Sequence, residues 1–193
     1  MSLKALAAAV AMTMIAVSAN SAPETYKIDP GHTYPSFEAD HNGGMSLWRG
    51  KFNSSSGTII LDTAAKTGSV EVTINMASID FGHDRMNAHA SGDAMFDVAK
   101  YPTATYKGTF SKWNGDAPTE VDGQLTMKGV TKPVKLTLNS FMCKASGLTR
   151  RMTCGADAVG TLNRDEFGVD YGKSAGFKMA TKLLITVEAA KVN

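Results

Sequence analysis

Four histidines, His32, His41, His83 and His89, are the residues in this chain best suited to metal or proton chemistry. A helix that binds metal must present its ligands on one face. His83 and His89 are six positions apart, which on a helix leaves them about 120° from facing each other. No HxH, HExxH or HxxxH spacing occurs, so no zinc or other metal site is expected. His32 and His89 are better suited to hydrogen bonds that close strand and helix ends. The carboxylates Asp165 and Glu166 are adjacent and cannot face one site from a strand, which removes a glycosidase pair. Gly147-Leu148-Thr149 and the scattered serines form no nucleophile elbow with a paired base. The glycines punctuate turns and do not form a phosphate-cradling loop. Arg85 and Arg164 are expected in ion pairs with neighbouring acids in preference to a ligand headgroup. With no catalytic constellation, the chain reads as a binding protein and not an enzyme, with no required cofactor.

What must position these residues begins after the leader. Lys4 is followed by an apolar, small-residue run from Ala5 to Val17 and then by Ser18-Ala19-Asn20-Ser21-Ala22. Ala19 and Ser21 are the small residues of a signal-peptidase site, so cleavage is expected before Ala22. This makes residues 1–21 a signal peptide and 22–193 a single exported domain, placed in the periplasm. The apolar run is shorter than the roughly 20 residues that a spanning helix needs. Export changes the meaning of Cys143 and Cys154, since a disulfide is the default in an oxidising compartment. The two cysteines lack a redox-type Cys-x-x-Cys spacing. The bond they would form is structural and staples a hairpin near its turn.

With 193 residues, 20 Lys+Arg against 18 Asp+Glu, and 43% apolar residues, the chain suits one globular domain. A net charge of +2 gives no electrostatic case for nucleic acid. The dominant period is two. Ile59–Leu61, Val70–Ile74, Ala104–Phe110, Val121–Met127, Val134–Leu138 and Leu183–Val187 read as strands. Leu136–Met142 and Ala156–Leu162 flank the cysteines as further strands. Turn signals are Asn42-Gly43-Gly44, Asn114 to Pro118, Asp122-Gly123 and Lys128-Gly129. His83–Ala90 breaks the alternation and predicts a short helix, with Met95–Val98 as a second helical turn. About eight strands with so little helix must hide their edges, which favours a closed barrel.

Alternation assigns Ala104, Tyr106, Gly108 and Phe110 to one face, and Val121, Gly123, Leu125 and Met127 to another inward row. Pro35, Phe37 and Ala39 do the same near the start. Small residues among large ones fit two readings equally: steric fitting in a packed interior, or space left for an apolar ligand. Met45, Met86, Met127 and Met179 likewise suit either a soft pocket wall or ordinary core.

The ordered motifs resemble the YceI-like family of exported lipid-binding proteins over essentially the whole chain after the leader. They are Tyr26–Asp29 with His32-Thr33 and Phe37; Gly50–Phe52 with Gly57; Asp84-Arg85 with His89; and Met95–Asp97 running into Tyr101-Pro102. Asp122 to Val134 and Arg164–Gly168 complete the set. The Cys143/Cys154 pair followed by Gly155-Ala156-Asp157 resembles a branch of that family with a disulfide there. Ala90, where the family often has Leu, and Pro35, where an aliphatic residue is usual, depart from the pattern and would reshape a pocket.

The resemblance implies an all-β, eight-stranded antiparallel, lipocalin-like barrel with one short helix. It also implies an interior that takes a polyisoprenoid or another long-chain amphiphile, including ubiquinone. Phe37, Ala39, Phe52 and Ile59 would line it from the first half of the chain, with Met86 and Phe96 around the helix. Ala104, Tyr106, Gly108, Phe110, Leu125 and Met127 would follow from the central strands, and Leu136, Leu162, Phe177 and Ile185 from the last. Two functions fit: periplasmic carriage or storage of an isoprenoid lipid, or presentation of a quinone to a membrane b-type cytochrome. Transient membrane contact and a homodimer are compatible with either.

Overall fold

A computed structural model describes residues 22–192, so the proposed leader and its cleavage point lie outside the described residues. The described residues form eleven strand segments in one antiparallel sheet: β1 (Glu24–Ile28), β2 (Tyr34–His41), β3 (Ser46–Phe52), β4 (Ser55–Asp62), β5 (Thr67–Asn75) and β6 (Ile79–Asp80), then β7 (Thr103–Asn114), β8 (Ala117–Met127), β9 (Val130–Ala145), β10 (Met152–Asn163) and β11 (Ala180–Lys191). The first six are halves of three bent strands. β1 and β2 lie end to end along the same edge of β11, through Ile28↔Ala189 and Tyr34↔Thr186. β3 and β4 follow each other across a break at Asn53-Ser54. That break is bridged by the Asn53 and Asn75 N–H groups, which donate to Ser78 O and Ser54 O at 3.0 Å. Eight strands therefore wind in order around a closed antiparallel barrel, sealed where β11 meets β1 and β2. Closure removes the exposed edges that alternating strands would otherwise present.

Two hairpins turn as their sequences require. Lys128 and Gly129 both have positive φ, 49° and 76°, the backbone of a two-residue turn matched to strand twist. Gly115 at φ 59° does the same between β7 and β8. Asp122-Gly123, expected as a turn, instead sits in the middle of β8 with Gly123 paired to Gly108 and Val134. A turn dipeptide is overruled there because a neighbouring ring occupies the space a side chain would fill.

The α-helix α1 spans Asp84–Ser91, and the His83 imidazole caps it by accepting from the Met86 N–H at 3.3 Å. The helical turn expected at Met95–Val98 is a run of irregular turns. That run seats Phe96 in the core beside Phe52, with ring centroids 5.8 Å apart. The larger core cluster lies under α1 and includes Phe52, Met76, Ile79, Ala90, Phe96 and Tyr106. A smaller cluster of Tyr26, Ile28, Leu61, Cys154 and Ala189 lies beside the seam. Cys143 and Cys154 face each other across β9 and β10 with Cα atoms 4.0 Å apart and are joined in a disulfide.

Candidate ligand-binding site

The barrel encloses a cavity of about 420 Å³ whose walls come from every strand of the ring. Pleating sets alternate residues inward, and the inward rows are mostly apolar. Phe37, Ala39, Phe52 and Ile59 line the cavity from β2, β3 and β4, while Met86 of α1 and Phe96 close over it. Ala104, Tyr106, Phe110, Leu125 and Met127 line it from β7 and β8. Leu136, Leu162 and Ile185 line it from the last three strands, and Phe177 from the loop before β11.

Gly108 is the exception among the residues assigned to the wall. A Cβ there would stand 2.6 Å from Val121 Cγ1, so the Val121 side chain, not empty space, covers it. At Gly108 and Gly123 the small residues are steric fitting, whereas Ala104 borders the cavity. Of the four methionines singled out from sequence, Met86 and Met127 line the wall, joined there by Met76 and Met95. Met45 is 76% exposed at a turn, and Met179 lies in the loop before β11, off the cavity wall.

Several lining residues were not assigned from sequence. Val70, Val72 and Ile74 do line the cavity, and their alternation in β5 carried the signal, though the inward face was left unassigned. Trp48 comes from β3, a strand whose period is obscured by Arg49, Gly50 and Lys51. It packs in an aromatic group with His41 and Phe81, at centroid distances of 5.4 and 6.0 Å, and Phe177 stands 5.3 Å from His41.

Most of the polar wall gathers at that end. Arg164 is buried, and its guanidinium donates to the carbonyl oxygens of Val169 at 2.7 Å and Tyr171 at 2.8 Å. The expected ion pair is absent among the described residues: Arg164 has backbone partners, because the 3₁₀ turn Arg164–Phe167 curls the following loop over the guanidinium. Burial lowers its pKa, opposed by Asp165, Asp170 and Asp40, yet an arginine stays charged. Arg85 is exposed and makes no ion pair among the described residues. His89 lines the cavity edge-on to Tyr171, with centroids 4.6 Å apart. His32 lies outside the wall, hydrogen-bonded through Nδ1 to Asp29 at 2.8 Å. Among the described residues no group of three His, Cys, Asp or Glu side chains converges on a metal-sized site.

A closed eight-stranded meander around an apolar cavity is the architecture of small β-barrel proteins that enclose a ligand. The chain belongs to the YceI-like family, whose domain matches residues 26–190. A UPF0312 protein of Pectobacterium atrosepticum is 31% identical over 97% of both chains. A UPF0312 protein of Pseudomonas syringae pv. syringae is 33% identical over 86% of this chain and 87% of its own. Among solved structures, BcnA of Burkholderia cenocepacia superposes with a TM-score of 0.65 at 24% identity, covering 83% of this chain and 98% of its own. A polyisoprenoid binding domain from Saccharophagus degradans superposes with a TM-score of 0.61 at 15% identity, covering 86% and 98%. At those identities the superpositions speak for the fold.

Proposed function

We propose that the chain, exported to the periplasm and freed of residues 1–21, holds a polyisoprenoid-class lipid inside the barrel. The cavity carries this reading: at about 420 Å³ it is walled by apolar side chains from all strands of the ring, and Arg164, His89, Tyr171 and His41 supply polar groups at one end. Each Å² of ligand surface withdrawn from water gains roughly 25 cal/mol. A slender hydrocarbon tail gains most from such a wall, and a polar metabolite would leave its hydrogen bonds unmade. The Saccharophagus neighbour, named for polyisoprenoid binding, shares the fold. A prenyl quinone such as ubiquinone fits the same logic, its tail along the apolar wall and its ring toward Arg164, His89 and Tyr171. The protein acts as a carrier or store and not as a catalyst. The test is organic extraction of protein purified from its own periplasm, followed by mass spectrometry. A stoichiometric prenyl lipid is expected, and a barrel carrying no lipid, or only short fatty acids, would overturn the assignment.

A further inference from the structure

The β9–β10 hairpin runs past the rest of the barrel wall. β8 leaves β9 at the Glu120↔Thr137 pair, and among the described residues Leu138–Ala145 pairs only with β10 beyond it. The Cys143–Cys154 disulfide clamps this extension. Its loop is closed by the Ser146 N–H donating to Arg151 O at 2.8 Å and the Arg150 N–H donating to Ser146 O at 2.9 Å. From Asn139 to Ala156 the chain carries Lys144, Arg150 and Arg151 and no acidic residue. None of the three cations is in an ion pair among the described residues. Elsewhere Lys107, Lys112, Lys135, Lys173 and Lys191 each face a carboxylate within 3.0 Å, while others such as Lys27, Lys66 and Lys182 make no ion pair among the described residues. The hairpin differs in holding its cations in a segment with no acidic residue. Apolar side chains share the tip with the cations: Leu148 is 93% exposed, Met142 64% and Met152 41%.

Exposed apolar groups ringed by uncompensated cations complement a surface that is anionic outside and hydrocarbon within. The clamp lowers the ordering cost of binding, since the tip is already folded. We propose that the tip of this hairpin docks the barrel on an anionic phospholipid surface, Leu148 entering the acyl region and Lys144, Arg150 and Arg151 meeting headgroup phosphates. At its root, Phe141 and Ala156 line the cavity, so docking holds one cavity wall beside the lipid. The docking stands apart from the identity of the cavity's occupant, and the two readings fail by different measurements.

The test is co-sedimentation of the chain from residue 22 onward, which holds the whole described barrel and omits the apolar run Ala5–Val17, itself able to partition into lipid. The probes are vesicles of phosphatidylcholine alone and vesicles with added phosphatidylglycerol. Binding is expected to the anionic vesicles and should fall as salt screens the charges. Each cation near such a surface contributes about five-fold in partitioning, so R150Q/R151Q should bind about 25-fold more weakly. Leu148→Trp should show blue-shifted emission on anionic vesicles. Equal binding to both vesicle types, or an unaffected R150Q/R151Q variant, would overturn the proposal. Self-association through the hairpin without vesicle binding would overturn it too, by assigning the tip to a second copy of the chain.

Discussion

Tyr106 lies across Gly123 on the next strand, its ring standing where a Cβ of residue 123 would be, while its hydroxyl donates to the Val134 carbonyl oxygen at 2.9 Å one strand further on. One side chain thus spans β7, β8 and β9. Burial, with the Asp122 charge adding, pushes the Tyr106 phenol above its ordinary range, so it stays protonated and a donor. Gly123→Ala should destabilise the barrel by about 1–3 kcal/mol, as overpacked interiors do. In a Tyr106→Leu background the same change should cost much less. Denaturant unfolding of the four proteins measures the coupling, and an unchanged cost would show that the ring is not the obstacle.

Ala104 and Thr105 test the cavity wall by geometry alone. Ala104 is buried on the cavity side of β7, and Thr105 faces the opposite side. Ala104→Trp should fill the cavity beside Tyr106 and strongly reduce lipid retained per protein, while Thr105→Trp should leave retention nearly intact. Since the new ring enters space already present, the stability cost of Ala104→Trp should stay below the roughly 1–3 kcal/mol of overpacking. Equal retention in both variants would remove β7 from the site.

The Asp29–His32 contact predicts a titration. The hydrogen bond from His32, with a second from the Gly31 N–H, holds the Asp29 carboxyl below its ordinary 3.8. Asp29 in turn raises the His32 imidazole above 6.5. A raised histidine contributes stability that is fully present below pH 6.5 and lost as pH climbs through the raised value. The depressed aspartate contributes stability present above pH 3.8 and lost as pH falls through its lowered value. NMR of the imidazole should give a His32 midpoint above 6.5 that returns toward 6.5 in Asp29→Asn. A midpoint insensitive to that substitution would rule the pair out as its cause.

The disulfide predicts a mass and a stability. The oxidised chain should be two hydrogens lighter than its reduced form and should not react with a thiol reagent. Replacing both Cys143 and Cys154 by Ser should cost about 3 kcal/mol, the chain-entropy value for a loop this short. Quantitative labelling of both thiols in protein purified without reductant would contradict the bond.

Alternation made the barrel legible where a strand is long and one face is dry. Ala104, Tyr106 and Phe110 show it, and so do Leu125 and Met127. It held even in β2, where Pro35, Phe37 and Ala39 alternate with charged Glu38 and Asp40, and faded in β3, where Arg49 and Lys51 stand around Trp48. Asp122-Gly123 misled because the same dipeptide serves a turn or a ring-packed strand, and the ring comes from Tyr106, a residue distant in sequence. Arg164 misled for the same reason, since its partners are carbonyls of a loop that local pattern does not bend into place. The aromatic group of His41, Trp48 and Phe177 joins three separate segments, and no spacing along the chain announces it.

The seam between β11 and β1 joins Tyr26 to Lys191, so the ring is completed by its first and last strands. No partial chain can be a smaller version of this barrel, because every fragment short of Ala180–Lys191 leaves β1, β2 and β10 with open edges. The slowest contacts to find are those of highest sequence separation, and here they are the ones that decide whether an interior exists at all. The hollow is therefore a property of the closed circle, and it depends on the pairings of β11 with β1, β2 and β10.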